Sequence, residues 1–277
     1  MIDKSRKVLQ PKLNAIVSQK NELTPRLRIL RIVGDGWRLP DFAPGQFAVL
    51  GLPGSAPRCS LAEPEMSPAD PHKLIRRAYS IASSSRTREY LDFYIGLVSS
   101  GALTPRLFNL NIGDPLWLSP KVSGMFTLDD VPEDKNVILV ATGTGLAPYM
   151  SMLRTHLECS SARRFAILHG AYHSWDLGYR SELLTLQHLC NNLTYMVTID
   201  RPDQEPVPWA GHIGWVQDLW TKCVITEAWG FRPTPENTHV FLCGNPAMID
   251  DMIRLLNKDG FREHSRKEPG EIHVERY

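Results

Sequence analysis

The stretch Val137–Pro148, VILVATGTGLAP, constrains the fold more than any other part of the chain. Val137–Ala141 is apolar without alternation, which marks a strand buried on both faces. Thr142, Gly143, Thr144 and Gly145 follow at once, and Pro148 then opens a helix. A strand that ends in a glycine turn and a helix belongs to a parallel sheet covered by helices. Such a turn suits a pyrophosphate, because glycines admit its close approach and the helix start offers free N–H groups. Taken alone, a plain strand-to-helix turn explains the glycine pair equally well.

The alternation continues to the end of the chain. Strands are read at Phe165–Ala171, Leu193–Ile199, His239–Cys243 and Glu271–Arg276. Helices are read after Pro148, with Tyr149, Met152, Leu153 and Leu157 on one face, and over Ser181–Cys190 and Trp215–Cys223. The last helix has Asn245 as N-cap, Pro246 at its first position and Gly260 as its stop. The expectation is a doubly wound parallel sheet over residues 133–277, with the boundary between Asp129 and Lys135.

Residues 1–132 read differently, as an antiparallel β-barrel domain. Short apolar or alternating runs occur at Ala15–Val17, Arg26–Val33 and Phe47–Leu50. Arg88–Val98 alternates, with Leu91, Phe93, Ile95 and Leu97 on one parity and Tyr90, Asp92 and Tyr94 on the other. Turn signals at Gly34–Gly36, Pro44–Gly45 and Gly113–Asp114 separate the runs. Residues 52–73 carry five prolines and no period, and are expected to be a surface excursion.

Lys plus Arg is 31 and Asp plus Glu is 30, so a net charge of +1 gives no global reason to bind nucleic acid or a membrane. No apolar run approaches the roughly 18 residues of a membrane span, and the N-terminal residues lack a signal-peptide stretch, so the expected location is cytoplasmic. The five cysteines form no CxxC pair. Zinc-ribbon and iron–sulfur readings therefore lose support, no metal site is expected, and any redox group is an organic cofactor.

Three further motifs carry chemistry. Arg77, Ala78, Tyr79 and Ser80 form a strand in which an arginine suited to phosphate and an aromatic ring lie two residues apart, on one face. Gly101, Ala102, Leu103 and Thr104 make a small-residue turn before Pro105, able to hold a second phosphate. Cys243 with Gly244 ends a strand beside Asn245, where a small polarizable side chain admits a planar ring. Each has an ordinary structural explanation, and their order along one chain is what makes them informative.

In that order the chain resembles the bacterial ferredoxin–NADP reductases, from about Pro11 to Tyr277. Supporting matches are Gly45–Phe47, Leu103–Leu107, Gly124–Leu128, Cys243–Pro246 and the ending Pro269–Tyr277. The resemblance implies FAD on the barrel, NADP(H) or NAD(H) on the second domain, and a ferredoxin or flavodoxin as partner, in a monomeric enzyme. It implies hydride transfer to flavin N5, near Ser80, and one-electron transfer to the carrier. Arg77 would hold the FAD pyrophosphate, Tyr79 would stack on the isoalloxazine, and Ala78 between them would belong to the cofactor site. Tyr94, Ile95, Leu97 and the Gly101–Thr104 turn would line the flavin. Thr142–Gly145 would hold the dinucleotide phosphates, and Cys243 and Glu275 would flank the nicotinamide. Tyr277 would lie over or beside the flavin. An oxygenase reductase component or a free-flavin reductase using NADH is the alternative enzyme, and a flavin-binding redox sensor is the alternative of another class.

The family comparison also bears on coenzyme choice. Where NADPH-specific relatives often place three arginines, this chain has Tyr172, Arg201 and His212. Asp200 precedes Arg201 as in NADH-using members, and an acid there would accept ribose hydroxyls and repel a phosphate. Arg180 follows Tyr179 and could restore positive charge. Weak discrimination, with NADH accepted, is the expectation.

Overall fold

The structure, a computed structural model, describes residues 12–276. The chain divides into two compact units. One comprises the residues up to Phe42 with Phe47–Ser83 and Thr87–Ser123. The other runs from Gly124 onward and includes Ala43–Gln46 and Ser84–Arg86.

The first unit is a six-stranded antiparallel sheet of β1 (Ala15–Thr24), β2 (Leu27–Gly34), β3 (Phe47–Pro53), β4 (Leu74–Ser80), β5 (Leu91–Gly96) and β6 (Pro115–Ser123), in the order β4-β3-β6-β1-β2-β5. Its edges β4 and β5 meet at the single bridge Ile81–Phe93, where Ala82 N–H also donates to Asp92 O at 2.8 Å. The sheet is thus barrel-like without a continuous closing ladder. Leu30, Ile32, Leu50, Phe93, Leu116 and Leu118 fill its interior. One short helix, α1 (Thr104–Leu107), follows β5.

Two readings of this unit change. The strand expected over Arg88–Val98 is limited to Leu91–Gly96, and both its faces are buried. Asp92 lies on the parity opposite Leu91 and Phe93, yet it too is buried, because Arg31 forks onto it at 2.8 and 3.0 Å and stacks over Tyr90. Strand β6 was not read from the sequence, although Leu116 and Leu118 point inward with the strand period.

The second unit is a parallel sheet of β7 (Asn136–Thr142), β8 (Phe165–Ala171), β9 (Leu193–Ile199), the two-residue β10 (His212–Ile213), β11 (Thr238–Cys243) and β12 (Ile272–Glu275). The order is β10-β9-β8-β7-β11-β12, every neighbouring pair parallel. Helices α2 (Ala147–His156), α3 (Arg180–Leu189), α4 (Val216–Thr221), α5 (Val224–Trp229) and α6 (Pro246–Lys258) accompany it. The single helix expected over Trp215–Cys223 is shorter, and a second follows it. Cys223 breaks the run with φ of +54°, a left-handed conformation that a non-glycine sequence does not announce. Cys159 and Cys190 form a disulfide joining the chain after α2 to the end of α3. Among the described residues no group of His, Cys, Asp or Glu could hold a metal, and no helix is long and apolar enough to cross a membrane.

Candidate functional site

In the second unit the strand order reverses between β7 and β11, with β8 beyond one and β12 beyond the other. Ligands of open α/β sheets bind at such a reversal, outside the carboxyl ends of the strands. Both turns there are built for close approach. A Cβ on Gly145 would lie 2.3 Å from Cys243 O, and one on Gly244 would lie 2.3 Å from Thr142 Oγ1. Asn245 N–H donates to Thr142 Oγ1 at 2.8 Å, which laces the two turns together. Gly143 has φ of +55° and open space where a Cβ would be. Gly145 and Gly244 thus let the two turns pack on each other, and the open side of Gly143 leaves room for a dinucleotide phosphate to approach the backbone.

Register across β7, β11 and β12 sets Ala141, Cys243 and Glu275 side by side. The Cys243 thiol is fully buried and donates to Glu275 Oε2 at 3.8 Å. Behind them Tyr149 OH donates to Val140 O at 3.0 Å, and burial pushes its phenol well above the usual range, reinforced by Cys243 and Glu275. The sequence thus brings a thiol and a carboxylate to the end of the sheet from segments 32 residues apart.

The residues read for coenzyme choice stand after β8 and β9. Arg201 lies over the Tyr172 ring at 4.6 Å, and Arg180 lies over the Trp209 ring at 5.0 Å. Asp200 N–H donates to Ala171 O, while its Oδ1 is buried without a hydrogen-bond partner among the described residues. His212 belongs to β10 and accepts the Trp209 indole N–H at its carbonyl, 2.9 Å away. Trp209 was missed from the sequence, since it sits in a proline-rich turn with no periodic signal.

In the first unit Arg77, Ala78, Tyr79 and Ser80 close β4, and exposure falls along them from the exposed Arg77 and Ala78 to the buried Ser80. The Arg77 guanidinium donates to Arg76 O at 2.7 Å and has no carboxylate partner among the described residues. Burial raises the Tyr79 phenol, and the Arg77 charge opposes that shift. The Ile81–Phe93 bridge continues the antiparallel register so that Ser80 falls beside Tyr94. Tyr94 and Ile95 are buried in β5, and Leu97 is half-buried just beyond it.

The turn over residues 98–104 is tight. A Cβ on Gly101 would meet Val98 O at 3.0 Å, and Thr104 Oγ1 donates to Val98 O while accepting from Val98 N–H, both at 3.1 Å. The N–H groups of Ala102, Leu103 and Thr104 have no hydrogen-bond acceptor among the described residues. An exposed guanidinium without a carboxylate partner among the described residues and a turn with unused N–H donors fit a flavin dinucleotide's phosphates. Tyr277, read as a flavin-facing residue, lies outside the described residues.

Comparison with known proteins bears on the family and the fold. Residues 139–254 match the family model of the oxidoreductase NAD-binding domain. A flavodoxin/ferredoxin–NADP reductase of Buchnera aphidicola is 32% identical over 206 residues, 74% of this chain and 81% of that protein. A ferredoxin–NADP reductase of Azotobacter vinelandii is 30% identical over 247 residues, 85% of this chain and 86% of that protein. The fold is shared with a Neisseria gonorrhoeae ferredoxin NADP+ reductase solved with bound FAD and NADP. Its TM-score is 0.78 at 23% identity, covering 96% of this chain and 99% of that one.

Proposed function

The chain belongs to the flavodoxin/ferredoxin–NADP reductase family, and from that premise we propose that it is an FAD-dependent enzyme passing electrons between NADP(H) or NAD(H) and a ferredoxin or flavodoxin, as a cytoplasmic monomer. The observation that carries the reading is the sheet reversal at β7 and β11, where the close-packed glycine turns, open at Gly143, adjoin the buried Cys243 thiol and its partner Glu275. Bound FAD supplies the exchange between two-electron and one-electron transfer that a nicotinamide alone does not perform.

The protein's residues bind and orient. Arg77 and the 98–104 turn would hold the flavin phosphates, Tyr79 would offer an aromatic face to the ring system, and Ser80 would supply a hydroxyl to its reactive edge. Thr142–Gly145 hold the coenzyme phosphates. Cys243 offers a small side chain that lets the nicotinamide lie close, and Glu275 receives the thiol hydrogen and fixes its direction. The names of the matched relatives favour a carrier protein as acceptor over an oxygenase or free flavin.

The purified protein is expected to be yellow, to release FAD on denaturation, and to lose its visible absorption anaerobically when a reduced nicotinamide is added. It should then reduce ferredoxin or flavodoxin faster than free flavin. A colourless protein that cannot be loaded with FAD refutes the proposal, and a bleached flavin with no turnover on any acceptor would point to the sensor instead.

A further inference from the structure

The proline-rich excursion between β3 and β4 is not needed to pair those strands. Their register is complete to Pro53 opposite Leu74, and Gly54 N–H and Ser55 N–H continue the closure onto Lys73 O and Pro71 O at 3.0 and 3.3 Å. What lies beyond is fastened elsewhere. Cys59 N–H donates to Pro105 O at 2.9 Å, Glu63 N–H donates to Ser99 O at 3.0 Å, and Ser99 Oγ–H donates to Glu63 Oε1 at 2.5 Å.

The fastening centres on one carboxylate between two guanidinium groups. Arg106, almost fully buried, forks onto Glu65 at 2.7 and 3.1 Å. It also donates to Ala102 O at 2.6 Å and Gly54 O at 2.7 Å. Arg58 stands 3.6 Å from Glu65 and donates to Ser99 O and Gly101 O at 3.0 and 3.3 Å. The Arg106 hydrogen bond holds Glu65 below the usual carboxylate range, so it stays charged near neutral pH.

We infer that the segment 58–65 is a fixed strap whose Glu65, acting through Arg106 and Arg58, is a positioning residue for the flavin-phosphate turn at 98–104. The argument is peptide geometry. In a trans peptide the C=O and the following N–H point in opposite directions. Arg58 holds the Gly101 carbonyl toward the strap, and Arg106 holds the Ala102 carbonyl the same way. The N–H groups of Ala102 and Leu103 are thereby aimed away from the strap. There they meet no protein acceptor among the described residues and are free to receive a phosphate. Glu65 balances the two cations, fixing Arg106 by its fork and Arg58 by charge, so the donors are oriented before the ligand arrives.

The inference rests on the flavin reading above, and its test separates the two. Apoprotein of the full chain is titrated with FAD and with FMN, which lacks the second phosphate, and folding is followed by thermal melting. In Glu65→Gln the FAD dissociation constant should rise at least tenfold while that for FMN changes less than threefold. Should Glu65→Gln not fold, Arg58→Gln, which leaves the Glu65–Arg106 fork in place, decides the matter with a several-fold loss confined to FAD. Unchanged FAD binding, or equal losses for FAD and FMN, overturns the strap's role and leaves the flavin reading intact. A wild-type apoprotein that binds neither flavin overturns both.

Discussion

At the scale of single residues, the coenzyme choice proposed for this protein turns on a few side chains after β8 and β9. Arg201 and Arg180 are each spread over an aromatic ring, Tyr172 and Trp209, which holds their charge in place. Asp200 stands between the strand end and Arg201, with one carboxylate oxygen buried and lacking a partner among the described residues. Its charge opposes a 2′-phosphate that Arg201 would attract. We expect both coenzymes to be used, with kcat/KM values within a hundredfold of each other. Asp200→Asn should shift the ratio about tenfold toward NADPH, roughly 1.4 kcal/mol, through KM rather than kcat. Parallel steady-state assays with NADH and NADPH check this. A wild-type NADPH preference beyond a hundredfold, about 2.7 kcal/mol, would show that the arginines govern the site and that Asp200 does not.

At the scale of elements, β11 and β12 are joined by more than their ladder. His239 and His273 hydrogen-bond ring to ring at 3.0 Å, and His273 stacks on Phe241 at 4.2 Å and on His264 at 4.6 Å. Burial, then the neighbouring His239, lowers His273 from an ordinary 6.5 to about 3, and burial lowers His239 as well. Glu271, Lys135 and Arg163 act on His239, and Asp130 stands 3.4 Å from His264. Because the folded chain keeps His273 neutral, its contribution to stability is complete above pH 6.5. It is lost as the pH falls from there toward 3, where the unfolded chain binds the proton first. One such proton is worth about 1.4 kcal/mol per pH unit. His273→Phe should keep the stack and flatten the fall in melting temperature between pH 6.5 and 4.5. An unaltered slope would sink the assignment, since the buried His169, lowered to about 4, would then carry it. The strands involved here were readable from sequence, because β7, β11 and the glycines between strand and helix are local patterns. The rest depended on distant partners. Asp92 is buried by Arg31, 61 residues away, and the strap is set by Glu65 meeting Arg106, 41 residues away. No period or turn signal encodes such pairs, and the break at Cys223 lacked the glycine that usually marks a left-handed residue.

At the scale of the whole molecule, a net charge of +1 cannot steer an acidic carrier over any distance, since fields are screened within about 10 Å at 0.1 M salt. Attraction must come from individual cations, and of the candidates Arg86, Arg88, Arg262, Arg266 and Lys267 two already face carboxylates. Arg88 faces Asp41 at 3.6 Å, and Arg262 faces Glu271 at 4.0 Å. Arg86, Arg266 and Lys267 have no carboxylate partner among the described residues, Arg266 instead lying 3.4 Å from Met125 Sδ. These three charges should give a moderate salt effect on encounter and none on the chemistry that follows. With coenzyme saturating, kcat/KM for an acidic ferredoxin should fall several-fold between about 50 and 500 mM salt, while reduction of an uncharged quinone stays level. Arg266→Glu with Lys267→Glu should raise the carrier KM several-fold at low salt and leave kcat and the quinone rate unchanged. A carrier profile as flat as the quinone's, or a double variant whose carrier KM is unmoved, would mean that apolar contact, and not charge, brings the carrier to this protein.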